Sequence, residues 1–163
     1  MRSDISYFQH LYAYSLWQFY RECDIYGTMD FIFGNAAAIF QKCNLVLREP
    51  GSRGAYNVML AHGRTDQGQN TGFSLQNCII TASGYSRDAY ESYLGRPWRQ
   101  YSRAVIMQSS MDGVISPKGW IEWEGSSAFD KMYFAEHENV VADFIGGTLW
   151  LPSTGVTYAL GLG

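Results

Sequence analysis

Residues 20–25 have the sequence Tyr20-Arg21-Glu22-Cys23-Asp24-Ile25, and the same order of residue types returns at 40–45, 75–80 and 107–110. In each copy a large apolar residue is followed by Gln or Arg, then by a variable residue, then by a small Cys or Ser. The copies begin 20, 35 and 32 residues apart. A period near 20 residues with insertions is typical of a parallel β-helix, whose coils stack strand on strand. The pattern predicts an inward column of Cys and Ser. Chance similarity between short strands is the alternative.

The composition agrees with an all-β protein. Of the 163 residues, 47% are hydrophobic, 16% are aromatic and only 17% are charged. Aromatic residues favour strands, and so low a charge leaves many surface positions polar but uncharged. The formal net charge of −3 gives no basic surface for nucleic acid, so we expect no nucleic-acid partner. No apolar run reaches the length of a membrane span, and residues 1–12 lack the features of a signal peptide.

Common catalytic and metal signatures are missing from the sequence. It has no G-x-S-x-G, no H-E-x-x-H and no glycine-rich phosphate loop followed by Lys. The three histidines, His10, His62 and His137, are widely separated, and three cysteines are an odd number for a disulfide scaffold. We therefore expect neither a metal site nor a cofactor.

An acidic residue stands inside an apolar, aromatic stretch. Asp30 lies within GTMDFIFGN, where an unpaired carboxylate would be costly to bury. One interpretation is structural, with Asp30 capping a turn after Gly27. The other is functional, with the carboxylate held ionised by a positively charged partner.

The segment YLGRPW offers such a partner. Arg96 is followed by Pro97, which restrains the backbone, and a positioned guanidinium pairs with a carboxylate in a fork geometry. An exposed loop arginine is the alternative. Tyr93 and Trp98 flank Arg96, and aromatic rings beside polar groups suit the recognition of sugar rings.

Four ordered motifs carry a resemblance to a known family. They are GTMDFIFGNAAAIFQKCN at 27–44, GRTDQGQNTGFSLQNC at 63–78, YLGRPWRQYSRAVIMQS at 93–109 and GWIEWEG at 119–125. Together they closely resemble the plant-type pectin methylesterases, and the similarity runs from about residue 7 to 138. The resemblance implies a right-handed parallel β-helix, here truncated at its N-terminal coils. It also implies a domain over 1–139 followed by a divergent tail over 140–163.

The resemblance also implies roles for individual residues. Asp30 would be the nucleophile that attacks a galacturonate methyl ester, and Arg96 would pair with it. Aromatic positions of the family's sugar groove are matched by Tyr12, Phe33, Tyr93, Trp98 and Trp123. Cys43 and Cys78 match a disulfide found in some members, which would leave Cys23 free.

One part of the family's site is changed in this sequence. The family's YQDTLY strand supplies a glutamine for the oxyanion hole and an aspartate as general acid. An ungapped comparison with YFQHLY places Phe8 at the glutamine and Gln9 at the acid, 21 residues before Asp30. A one-residue deletion would instead place Gln9 at the glutamine and His10 at the acid. A second oxyanion glutamine would lie upstream of Met1.

Two functions remain open from the sequence. The first is pectinesterase activity, in which homogalacturonan is demethylesterified in the extracellular cell wall by a monomer that needs no cofactor. The second is an inactive pectin-binding remnant that lacks the general acid and the oxyanion glutamines. Other pectin-active β-helices use Ca²⁺ and clustered carboxylates, and the sequence offers no such cluster beside Asp30.

Overall fold

The computed structural model describes residues 7–52, 54–85, 89–123 and 131–141. Within these residues the chain forms short strands joined by corners and loops. The strands are β1 Tyr7–Gln9, β2 Leu11–Tyr12, β3 Trp17–Arg21, β4 Asp24–Gly27, β5 Met29–Gly34, β6 Ala37–Gln41, β7 Asn44–Arg48, β8 Asn57–His62, β9 Gly72–Gln76, β10 Ile79–Ser83, β11 Ser92–Pro97, β12 Arg103–Met107, β13 Ser110–Met111, β14 Tyr133–His137 and β15 Val140–Val141.

The strands build three parallel sheets that the chain visits in a fixed order. Sheet 1 contains β1, β4, β7, β10, β13 and β15; sheet 2 contains β2, β5, β8 and β11; sheet 3 contains β3, β6, β9, β12 and β14. Every described strand pair is parallel, and each strand pairs with its counterpart in the next coil. The predicted all-β parallel β-helix is confirmed.

Alternating side chains fill the interior of the solenoid. In β7, Leu45 and Leu47 are buried, and in β6 the buried residues are Ala38 and Phe40. Equivalent inward positions stack from coil to coil, so that the Tyr20 ring lies 5.0 Å from the Phe40 ring in a stacked arrangement. Stacking of this kind buries apolar area between coils and supplies most of the stability of a repeat architecture.

The repeated pattern seen in the sequence forms one corner of the solenoid, between sheet 3 and sheet 1. Pairing of β3, β6 and β9 aligns Tyr20 with Phe40 and Leu75, which places Cys23, Cys43 and Cys78 in one buried column. The fourth copy, expected from the sequence at 107–110, begins one residue earlier in the structure, because Ile106 and not Met107 pairs with Leu75. Ser109 therefore continues the column, and Ser110 is exposed.

The residue before each column member has a left-handed backbone. The φ angle is between 50° and 54° at Glu22, Lys42, Asn77 and Gln108, and it is 50° at Glu138, the counterpart of Gln108 in the next coil. This conformation is uncommon outside glycine, and here it turns the chain sharply from one sheet into the next. The variable position of the sequence repeat is therefore a left-handed corner residue whose side chain is exposed.

The cysteines of the column are free thiols in this structure, and the disulfide between Cys43 and Cys78 that the resemblance implies stays a prediction. The Cys43 thiol is within hydrogen-bonding distance of the carbonyls of Tyr20 and Gln41, and the Cys78 thiol donates to Phe40. The hydrogen bond with the Cys78 thiol, followed by burial, raises the pKa of Cys43. Both thiols therefore already have partners in the reduced state.

The last described strand lies beyond the predicted domain boundary at residue 139. Residues 140–141 pair with Ser110 and Met111 in sheet 1, and residues 142–163 of the expected tail lie outside the described residues. Among the residues that the structure covers, no helix is long and apolar enough to cross a membrane.

The corner geometry predicts how substitutions at Lys42 affect stability. Lys42 is exposed and has a φ of 54°, so a β-branched side chain there is strained while glycine is not. We expect Lys42→Val to lower the free energy of unfolding by about 1–2 kcal/mol relative to Lys42→Gly. Urea denaturation of the two variants measures this difference, and equal midpoints would show that the corner is unstrained.

Candidate active site

A bulge in β5 positions Asp30. Met29 pairs with Val58 and Ile32 pairs with Leu60, so β5 contains one more residue than β8 over the same span. Asp30 lies in this extra length with a φ of 48°. Bulges redirect side chains and are frequent beside functional sites, and aspartate is one of the few residues enriched in the left-handed region. The strand thereby projects a carboxylate outward while Phe31 and Ile32 remain buried.

Asp30 and Arg96 form a close ion pair across 66 residues of sequence. Arg96 Nε donates to both carboxylate oxygens, at 2.9 Å to Oδ1 and 3.2 Å to Oδ2, and Nη2 donates to Oδ2 at 2.6 Å. The Arg96 side chain is only 13% exposed and the Asp30 side chain only 19%. A fork of this kind fixes the plane of the carboxylate as well as its distance. The pairing of these two residues, expected from the sequence, is present in the structure.

Two aromatic side chains hold the Arg96 guanidinium from its other side. Its central carbon lies 4.1 Å from the centre of the Trp123 ring, and Nη1 donates to the Tyr56 hydroxyl at 3.4 Å. Stacking on an indole suits a planar guanidinium and restricts its movement. No sequence pattern indicated a role for Tyr56, which precedes a strand in a segment without a motif.

The Asp30 carboxylate lines a pocket of about 360 Å³ on the outside of sheet 2. The pocket is lined by one acidic residue, one histidine, two indoles and three apolar side chains: Asp30, His10, Trp98, Trp123, Met29, Phe33 and Ala61. In-register pairing aligns Phe33 with Ala61 and Ala61 with Arg96, so the small Ala61 side chain lies between two large ones. The absence of bulk at this position leaves room for a ligand above the sheet.

Aromatic rings extend the pocket along the solenoid. Tyr12 is 50% exposed and stacks on Phe33 with ring centres 4.7 Å apart. Phe33 in turn meets Trp98 edge to face at 6.3 Å. These rings form a continuous apolar strip beside the charged pair. Of the five aromatic positions expected from the sequence, Phe33, Trp98 and Trp123 line the pocket, and Tyr12 stacks on Phe33 beside it.

Tyr93 is the exception, and the expectation that it contacts a ligand is corrected. Its side chain is 2% exposed, its hydroxyl donates to Glu91 at 2.5 Å, and its ring meets Tyr56 edge to face. Tyr93 pairs with Val58 on a strand that is buried on both faces over most of its length. The Tyr93 ring therefore packs against the Tyr56 ring and does not line the pocket.

The structure brings His10, the second of the two candidates for the general-acid position, to the pocket. His10 is exposed and lines the pocket together with Asp30. Gln9 ends β1, with its backbone aligned with Tyr26 in sheet 1, and its side chain is outside what the structure describes. His10 forms the one-residue corner between β1 and β2.

Two loops that border the pocket are held together by a buried arginine. The Arg64 guanidinium donates to the backbone carbonyls of Gln67, Gln69 and Tyr101. Gly63, the residue before it, lies so close to Trp98 that a Cβ there would be 2.8 Å from the ring. The lack of a side chain at Gly63 therefore leaves the space that the Trp98 indole occupies.

His62 supports the same loop from the interior. Its Nδ1 accepts a hydrogen bond from the Arg103 amide at 3.1 Å, and its carbonyl accepts one from the Ser102 hydroxyl. Burial lowers the pKa of His62 to about 4, so the ring is neutral near pH 7. Across the described parts of the chain, no group of three or more His, Cys, Asp and Glu side chains could hold a metal ion.

Comparisons with known proteins give a consistent result. A family model described as Pectinesterase matches residues 1–144. Probable pectinesterase/pectinesterase inhibitor 54 of Arabidopsis thaliana is 57% identical over 144 residues, which cover 85% of this chain and 28% of that protein. Pectinesterase 2 of Citrus sinensis is 42% identical over 183 residues, covering 93% of this chain and 36% of that protein. The chain thus spans about a third of these relatives.

The fold is also found in a solved structure. Pectin methylesterase from carrot superposes with a TM-score of 0.79 at 39% sequence identity. The superposition covers 97% of this chain and 59% of the carrot chain.

Burial of His62 predicts a loss of stability in acid. Its pKa is about 4 in the folded chain and near 6.5 when exposed, so unfolding takes up a proton between these values. The free energy of unfolding should fall by about 2–4 kcal/mol as the pH decreases from 6.5 to 4 because of this residue. Thermal unfolding across this range should show a flatter pH dependence for His62→Gln. An identical dependence in both proteins would contradict the assignment.

Proposed function

Because the chain belongs to the pectinesterase family, we propose that it demethylesterifies homogalacturonan in the plant cell wall and releases methanol. The single observation that carries this proposal is the ion pair between Asp30 and Arg96 in an open, aromatic pocket. Such a pair provides a charged oxygen nucleophile with a fixed orientation. The reaction would be the attack of Asp30 on the ester carbonyl, followed by hydrolysis of the acyl-enzyme.

The contacts of the two carboxylate oxygens support the role of Asp30. Oδ2 accepts two hydrogen bonds from Arg96, whereas Oδ1 accepts one, at 2.9 Å. Arg96 stays protonated, so it keeps the carboxylate ionised without competing as an acid. A carboxylate must be ionised and aimed at the carbonyl carbon to act as a nucleophile. We propose Oδ1, the less occupied oxygen, as the attacking atom.

The aromatic strip supports a sugar polymer as the ligand. Tyr12, Phe33 and Trp98 present ring faces and edges beside the ion pair. Aromatic surfaces pack against the apolar faces of sugar rings, and an esterified galacturonate has no charge at the carboxyl group that would meet Asp30. A free carboxylate at the same place would be repelled by Asp30. We propose that the pocket favours the esterified unit for this reason.

A second candidate function is binding of pectin without turnover. The observation behind it is the YFQHLY segment, where the ungapped comparison places Phe8 and Gln9 at an oxyanion donor and the general acid. Loss of a general acid lowers a rate by about 10² to 10⁴, and loss of one oxyanion donor lowers it by about 10² to 10³. These two losses together would leave binding as the main property of the chain.

The first test of the proposal is replacement of Asp30. Asp30→Asn removes the charge but keeps the size of the side chain, so we expect methanol release from methyl-esterified pectin to fall by a factor of about 10³ or more. Asp66→Asn is the matched control, because Asp66 is exposed in a loop and its Oδ1 acceptor for Gly68 is retained by asparagine. Measurable release that is equal in the two variants would rule out Asp30 as the nucleophile.

The second test separates turnover from binding. Trp98→Ala removes an indole from the pocket wall and should weaken binding of partly methylated oligogalacturonides about tenfold or more, as measured by calorimetry. Trp17→Ala, at an exposed residue of sheet 3, is the control and should leave affinity unchanged. Binding that depends on Trp98 in a chain with no methanol release would favour the second function. Binding insensitive to both substitutions would place the ligand elsewhere.

A further inference from the structure

Cleavage of a methyl ester needs a proton for the departing methoxide. Methoxide is strongly basic, so its expulsion from a tetrahedral intermediate is slow unless a nearby group protonates it. The second half of the reaction needs a base that takes a proton from the attacking water. One group that alternates between acid and base can serve both steps.

Two of the side chains that line the pocket are ionisable. Of the residues that line it, Asp30 and His10 are ionisable, and the others are indole, phenyl, thioether or methyl groups. Arg96, beside them, is effectively always protonated and is occupied by the Asp30 carboxylate. If Asp30 is the nucleophile, His10 is, among the described residues that line the pocket, the remaining group that can give and take a proton.

The backbone gives a reason for the position of His10. It is the one residue between β1 and β2, it has a φ of 54°, and its amide donates to the Tyr26 carbonyl at 3.3 Å. Asp30 lies in the next coil, near the corner between the same two sheets, and is also left-handed. The same conformation turns the chain at the corners between sheets 3 and 1, so at His10 and Asp30 it is a feature of corner geometry. Pairing of β2 with β5 in consecutive coils brings both residues to one pocket.

We propose that His10 is the proton-transfer residue of this site, in place of the carboxylic acid that YFQHLY lacks. The inference rests on the proposed ester hydrolysis at Asp30. It goes beyond that proposal because it assigns the acid and base steps to an imidazole. An imidazole can both donate and accept a proton, which suits a group that must act in both directions.

The proposed reaction has two steps. Asp30 forms a bond to the ester carbonyl carbon, the bond from that carbon to the methoxy oxygen breaks, and protonated His10 transfers a proton to methoxide to give methanol. The product on the enzyme is an anhydride between Asp30 and the galacturonyl group. Neutral His10 then removes a proton from water, whose oxygen attacks the galacturonyl carbonyl. The Asp30 carboxylate leaves, His10 is protonated again, and the galacturonic acid ionises.

The test compares two leaving groups in the full chain. Methyl and p-nitrophenyl esters of the same oligogalacturonide differ because p-nitrophenolate leaves without protonation. We expect His10→Gln to slow release of methanol by about 10² to 10⁴ and acylation by the p-nitrophenyl ester, followed as the initial burst of p-nitrophenol, by less than about tenfold. His137→Gln, in β14 of sheet 3, is the control and should affect neither ester.

The outcomes separate this proposal from the one on which it rests. Equal slowing of both esters by His10→Gln would overturn the role in proton transfer and indicate a structural role. An unchanged methanol rate would also overturn it. In either case a p-nitrophenol burst that is lost in Asp30→Asn would leave the nucleophile in place. His10→Asp should recover part of the methanol rate, since a carboxylic acid is restored, and failure to exceed His10→Gln would contradict the proposal.

Discussion

The parallel, in-register pairing of β5, β8 and β11 is the constraint on which the pocket depends. Adjacent strands lie about 4.8 Å apart, so residues that are 66 positions apart in sequence come within reach of one another. Pairing alone would place Phe33, Ala61 and Arg96 in one outward row, with Asp30 outside it. The bulge in β5 adds the residue that turns the carboxylate toward the guanidinium. Regular stacking and one local irregularity together make the ion pair.

The ion pair is expected to add little to the stability of the fold. Partly buried charges lose hydration, and their attraction often does no more than offset that loss. Arg96 is nevertheless held by Asp30, Trp123 and Tyr56 on separate sides. These contacts fix the orientation of Arg96. Through its hydrogen bonds Arg96 in turn fixes the Asp30 carboxylate, as the proposed nucleophilic role requires. The left-handed backbone at Asp30 adds a further cost that packing must offset.

The sequence predicted the fold and the central pair because both rest on local patterns. The repeat at residues 20–25, 40–45 and 75–80 corresponds to a real corner, and the DFIFG and LGRPW motifs contain Asp30 and Arg96. The sequence did not predict features that depend on a one-residue shift, as at Ser109. It also did not predict burial that depends on which residues cover a strand. Tyr93 and Trp98 both flank Arg96 in the motif, yet one is buried and the other lines the pocket. Tyr56 had no signal, because its role depends on three-dimensional proximity alone.

The central claim is that Asp30 forms a covalent acyl-enzyme with the galacturonyl group. Acid quenching during turnover of a methyl-esterified oligogalacturonide, followed by digestion at low pH and mass spectrometry, tests it directly. The account predicts that the peptide containing Asp30 gains the mass of the galacturonyl oligosaccharide at Asp30 while methanol is being released. An unmodified Asp30 peptide during measurable methanol release, or an adduct on another residue, would contradict it.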